Sequence, residues 1–102
     1  MVYNDKLKDR LLDSLFEGIL KLKNIDECYR FFEDLCTVAE IKSMGQRFEV
    51  ARMLEENHTF AEIVSSTGAS TATISRVKRA LYFGADGYKI ILGRMRKNKN
   101  NE

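Results

Sequence analysis

Residues 59–83 read TFAEIVSSTGASTATISRVKRALYF, and this stretch decides the fold. Thr59 and Glu62 have the T-x-x-E spacing of a capping box, and Ser70, eleven residues after Thr59, is a second helix start. Gly68 lies between them, where a tight turn wants left-handed backbone. In the second helix Ile74, Val77 and Leu81 are spaced three and then four apart, which defines one buried side. Thr71, Ala72, Ser75, Lys78 and Arg79 are left mostly on the outer face. This is the layout of a helix-turn-helix, whose second helix can enter the major groove of DNA. A plain helical hairpin with a Ser/Thr-rich cap has the same outline, so the pattern needs support from elsewhere in the chain.

The charge distribution supplies it. The net charge is only +2, but residues 1–66 carry −4 and residues 67–102 carry +6. A basic C-terminal third suggests a surface meant for a polyanion, although a solvated face and a frayed basic end account for Lys97 and Lys99. The chemistry of the outer face agrees. Short side chains at the start of a reading helix let it approach base edges, where hydroxyls hydrogen-bond and the methyl of a Thr or Ala packs on thymine. The helix N-terminus offers free N–H groups to phosphates, and Lys78 and Arg79 add formal charge further along. The expected DNA-contacting set is therefore Thr59, Ser70, Thr71, Ala72, Ser75, Lys78 and Arg79.

Working outward, the chain reads as all-α, with six helices. It has 102 residues, no proline and no strand-like alternation. Leu7, Leu11, Leu12, Leu15, Phe16, Ile19 and Leu20 form an apolar stripe that predicts a helix over residues 4–22. Asp26 is the expected cap of a second helix carrying Tyr29, Phe32 and Leu35, with Phe31 and Cys36 beside them. A second T-x-x-E pair, Thr37 and Glu40, starts a third helix through Ile41, Met44, Phe48, Ala51 and Leu54, fading at Glu56–Asn57. Gly45 inside it suggests a close backbone approach. The fourth helix turns Ile63 and Val64 inward, and Gly84 ends the fifth. Asp86 caps a sixth helix with Tyr88, Ile91, Leu92 and Met95. The expected organisation is a single domain over residues 1–96, with its helix-turn-helix at 59–83, and a disordered basic tail at 97–102.

Other function classes find little support. No apolar run approaches the ~20 residues of a membrane span, and the N-terminus has no signal-peptide core, so a cytoplasmic setting without membrane attachment is expected. Cys28 and Cys36 read as two reduced, partly buried thiols. The single histidine, His58, falls in a loop with no catalytic partner set around it. There is no P-loop, dinucleotide fingerprint or metal-ligand spacing, so neither an enzyme nor a metal site is expected. The first two helices carry more large apolar groups than a 102-residue monomer hides easily, and a second copy is a natural cover.

The residues GASTATISR, and a weaker match upstream through LCTVAEIKSMGQRFEVARMLEE, resemble the bacterial tryptophan repressor over roughly residues 29–84. The whole chain looks most like the Trp-repressor-like YerC/YecD family of Gram-positive bacteria. The resemblance implies a six-helix, intertwined homodimer that binds a palindromic double-stranded DNA operator as a transcriptional repressor. It also implies a small co-repressor, an amino acid or an analogue. Arg47 and Arg76 match two arginines lining the ligand slot, Thr37 a threonine near the ligand carboxylate, and Thr73 another pocket-side threonine. A guanidinium suits such a slot because it binds a carboxylate bidentately and stacks on a flat ring. There are departures. Ala80 stands where the family has a serine near the ligand amino group, and Ala61 and Val64 stand at two basic DNA-facing positions.

Alternatives remain open from the residues themselves. Arg47 also reads as a surface charge or ion-pair partner, and Arg76 as a phosphate contact. The whole chain also reads as a helical protein-interaction or assembly module, or as a helix-turn-helix DNA binder with no ligand.

Overall fold

Capping side chains set most of the helix boundaries. The computed structural model describes residues 8–100, with side chains through residue 98, and the described residues form six α-helices and no strand. These are α1 Arg10–Ile19, α2 Ile25–Leu35, α3 Val38–Glu55, α4 Phe60–Thr67, α5 Thr71–Phe83 and α6 Gly87–Asn100.

One helix start and one cap differ from expectation. Helix α1 starts at Arg10 because the Asp9 carboxylate accepts the Leu12 N–H at 2.8 Å. The expected start at residue 4, and Leu7, lie outside the described residues. Helix α2 is capped by Asn24, not Asp26. Asn24 Oδ1 accepts the Glu27 N–H at 2.9 Å, and Glu27 reaches back to the Lys23 N–H at 2.9 Å. Asp26 lies inside the first turn and pairs with Arg30 one turn on, at 2.7 Å. Both T-x-x-E boxes form as expected. Thr37 and Glu40 exchange bonds of 2.8 and 3.1 Å, and Thr59 and Glu62 bonds of 2.8 and 3.2 Å.

The chain divides into two compact units, one ending at Ile41 and the other beginning at Lys42. In the first unit no residue of α1 or α2 is buried. Leu11, Leu20, Ile25 and Tyr29 are 72%, 82%, 75% and 71% exposed. Phe31 and Phe32 meet edge to face at 5.4 Å. Cys28 is exposed and Cys36 half-buried, both as free thiols, so the expectation of two partly buried thiols holds for Cys36 alone.

The second unit contains the core. Helix α5 packs against α4 and α6. Ile74, Val77 and Leu81 of α5 are buried with Ile63 of α4, Leu92 of α6 and Val50, Ala51, Met53 and Leu54 of α3. Each fully buried Ile, Leu or Val here contributes ~1.5–3 kcal/mol relative to exposure. Three details depart from the sequence reading, and Asp86 keeps its place with an unusual backbone. Val64 faces outward, because the eight-residue α4 buries a single position, Ile63. Ile91 and Met95 are exposed, leaving Leu92 as the buried contact of α6. A Cβ at Gly45 would meet nothing within 4 Å, so that glycine marks no close approach. Asp86 is in the left-handed region, with φ 68°, and its backbone carbonyl accepts the Ile90 N–H at 3.0 Å. It thus stands at the cap position just before Gly87, as expected, with its backbone carbonyl closing the first turn of α6.

Helix α6 runs to Asn100, beyond the expected boundary at residue 96 and into the stretch expected to be disordered. Residues 94–100 contain neither Gly nor Pro, and Arg94, Arg96 and Lys97 suit the negative end of a helix dipole. Residues 101–102 lie outside the described residues.

Candidate nucleic-acid interface

The turn between α4 and α5 is three residues, Gly68, Ala69 and Ser70. Gly68 adopts φ 72°, and its N–H closes on the Val64 carbonyl at 2.9 Å. Thr67 Oγ1 donates to the Ile63 carbonyl at 2.8 Å and accepts the Ala69 N–H at 3.1 Å. Ala69 is buried, which pins the turn to the core. From α3 the Gln46 amide donates to the Thr67 carbonyl at 3.1 Å, tying the end of α4 to the helix that carries Arg47. Ser70 then accepts the Thr73 N–H at 3.1 Å and starts α5.

The outer face of α5 matches the sequence reading. Thr71, Ala72, Ser75, Lys78 and Arg79 are all exposed, while Ile74, Val77 and Leu81 are buried. Thr59 and Ser70 are exposed too, but their hydroxyl oxygens already serve as caps. Ser75, Lys78 and Arg79 line a groove of about 290 Å³ together with Phe60, Tyr82 and Phe83. Lys78 Nζ lies 5.6 Å from the centre of the Phe60 ring.

Two cations elsewhere in the second unit, Arg52 and Arg96, are matched by carboxylates. Arg52 binds Glu49 through Nε at 2.8 Å and Glu56 through Nη1 at 2.7 Å, and Arg96 meets Glu55. The Arg52 guanidinium holds the Glu49 carboxyl below its ordinary value, and Glu49 in turn raises the pKa of Arg52. Lys78 and Arg79 have no such partner among the described residues. Their full charge is therefore available to an outside anion.

The four residues matched to a ligand slot are not joined by hydrogen bonds. Thr37 Oγ1 accepts the Glu40 N–H as a cap, and Thr73 Oγ1 accepts from Ser70 Oγ at 3.1 Å. Arg47 is half-buried and Arg76 exposed, neither with a carboxylate partner among the described residues. Near them in sequence an open, apolar hollow of about 470 Å³ is lined by Phe48, Ala80, Ala85, Gly87, Tyr88 and Ile91. No His, Cys, Asp or Glu cluster that could hold a metal occurs among the described residues. No helix is long and apolar enough to cross a membrane among those residues.

The sequence model for the family described as Trp repressor protein matches residues 10–96. The chain belongs to the Trp repressor family. It is 57% identical over 95 residues to a Bacillus subtilis (strain 168) protein named YerC and described as uncharacterized, covering 93% of this chain and 91% of the relative. A crystal structure of a proposed Trp repressor from Staphylococcus aureus superposes with a TM-score of 0.86 at 55% identity, over 90% of this chain and 92% of that one. A TrpR like protein from Eubacterium eligens ATCC 27750 gives the same TM-score and identity, over 90% and 95%. The six-helix, Trp-repressor-like fold expected from the sequence is thus the fold of this chain.

Within this Trp repressor family chain, sequence reasoning missed Phe60, Tyr82 and Lys89. Tyr82 is half-exposed on the α5 face, and Lys89 Nζ of α6 lies 5.9 Å from its ring centre. Helical spacing from Ser75 through Lys78 and Arg79 to Tyr82 was a usable signal. Nothing in the spacing brings Lys89 there.

Proposed function

We propose that this chain is a sequence-specific DNA-binding transcriptional regulator that works as a homodimeric repressor. The observation carrying this reading is the outward stripe of α5. It begins at a capped helix N-terminus, continues through small hydroxyl side chains, and ends in cations without carboxylate partners among the described residues. Helices α4 and α5 form the reading head, and Thr71, Ala72 and Ser75 approach base edges while Lys78 and Arg79 take backbone phosphates. Ala61 and Val64 replace basic side chains on α4, so α5 bears a larger share of the charge.

The exposed apolar side chains of α1 and α2 support the dimer, in which each copy covers the stripe of the other. Two reading heads on one dimer would engage half-sites about 34 Å apart. The setting that fits a DNA target is the cytoplasm. Control by an amino-acid-like co-repressor is supported by Arg47 and Arg76 lacking carboxylate partners among the described residues, and by the apolar hollow. Phe48 of its lining follows Arg47, and Ala80 lies one helical turn beyond Arg76. Ala80 supplies no hydroxyl, which favours a ligand held by its carboxylate and apolar body.

Quantitative DNA binding tests this division of roles. Lys78→Ala and Arg79→Ala should weaken binding to every sequence and flatten the salt dependence. Thr71→Ala and Ser75→Ala should alter sequence preference instead. Equal losses on selected and random DNA for all four would defeat the proposal.

A further inference from the structure

The groove at the C-terminal half of α5 holds its cations in an uncommon way. Lys78 and Lys89 each lie over an aromatic face, Phe60 and Tyr82, at 5.6 and 5.9 Å from the ring centres. Neither lysine has a carboxylate within ion-pairing distance among the described residues, although Asp86 precedes Lys89 by one turn. A carboxylate partner would orient a lysine and also neutralise it, as Glu49 and Glu56 do for Arg52. A ring orients the ammonium group through its quadrupole and leaves the formal charge in place. Lysines held this way lose less side-chain freedom when they meet an anion, so more of the contact appears as affinity.

The placement extends the proposed DNA surface. Ser75, Lys78, Arg79 and Tyr82 share one face of α5, and Lys89 brings a third cation from α6 to its far end. A row of cations with the Ser75 and Tyr82 hydroxyls and no acid in the groove lining fits a run of phosphates on one DNA strand. Resting on the DNA-binding reading above, we propose that Lys89 is an additional backbone-phosphate contact, with Tyr82 and Phe60 acting as positioning residues for Lys89 and Lys78. The footprint then reaches past the two reading helices onto α6. The contact is independent of sequence, since it touches no base edge.

The test measures the affinity of the purified chain for a random-sequence duplex several helical turns long, across a potassium chloride series. Losing one phosphate contact lowers the slope of log K against log salt by about 0.9, or about three- to fourfold less affinity loss between 50 and 200 mM salt. Lys89→Ala should show that change. Tyr82→Leu should show part of it, Tyr82→Phe should restore it, and Tyr82→Leu should add nothing once Lys89 is alanine. Both side chains are exposed, and thermal unfolding of each variant checks that the fold is intact. An unchanged slope for Lys89→Ala, with the parent chain bound normally, overturns this inference and leaves the DNA-binding reading standing. A Tyr82→Leu effect of equal size with and without Lys89 overturns the positioning role. A parent chain with no salt-dependent binding overturns the DNA-binding reading itself, and the inference with it.

Discussion

Replacing Gly68 by alanine probes the turn on which the reading head is built. Gly68 has φ 72° and ψ 6°, and a Cβ there meets nothing within 4 Å. The cost of Gly68→Ala is therefore backbone strain alone, ~1–2 kcal/mol for an L-residue in the left-handed region. Alanine also narrows the unfolded ensemble, which offsets ~0.4–1 kcal/mol of that cost. The expected net destabilisation is about 1 kcal/mol, or a fall in Tm of roughly 4–8 °C for a cooperative unit of 60–100 residues. Gly68→Asn should fall less, because a short polar side chain tolerates this conformation. The chain already places Asn57 at φ 67° and Asp86 at φ 68°. Thermal unfolding at one fixed protein concentration measures both variants, which matters if the chain is dimeric. Alanine with no loss, or asparagine losing as much as alanine, would refute the reasoning. A far larger alanine loss would require a clash that the structure does not contain.

Other outcomes follow from the same geometry. Ile74→Ala empties a fully buried position and should cost about 2–5 kcal/mol in urea unfolding, unlike Ser75→Ala beside it on the exposed face. The Thr37 and Thr59 backbone N–H groups, and then their hydroxyls, hold the Glu40 and Glu62 carboxyls below the ordinary value of 4.5. Their contribution to stability is thus present above pH 4.5 and is lost as pH falls through the lower folded-state values. Acid titrations of Glu40→Gln and Glu62→Gln should be flatter in that window, and curves parallel to the parent would contradict it. Leu20→Ser with Tyr29→Ser should shift sedimentation toward the monomer if the exposed stripe of α1 and α2 covers a second copy. An amino acid that raises Tm should lose that effect in Arg47→Ala and Arg76→Ala, and a ligand that stabilises without altering DNA affinity would argue against co-repression.

The parts of the fold legible in the sequence are those whose causes act over three or four residues. Thr59 with Glu62, Ser70 with Thr73, and the Ile74–Val77–Leu81 spacing are local events, and each occurs in the structure. Where two local signals competed, the reading slipped. Asn24 and Asp26 are both good caps; Asn24 holds the cap position, and Asp26 lies inside the first turn, paired with Arg30. Val64 looked inward on hydrophobicity, yet α4 turns it to the outside when Ile63 takes the core position. Of the site, the α5 face was legible from its period.

The sequence by itself determined the six-helix class, the turn at Gly68 and the polar outer stripe of α5. Helix periodicity and capping depend on neighbours along the chain, and the residue order carries those neighbours. Tertiary structure decided what lies far apart in sequence. It placed Lys89 over Tyr82, joined Gln46 to the Thr67 carbonyl across 21 residues, and buried Val50 and Met53 of α3 beside the α5 core. It also left Lys78 and Lys89 beside rings rather than carboxylates. These outcomes depend on how helices pack, because a cation's electrostatic partner is whichever group the packing brings within a few ångströms.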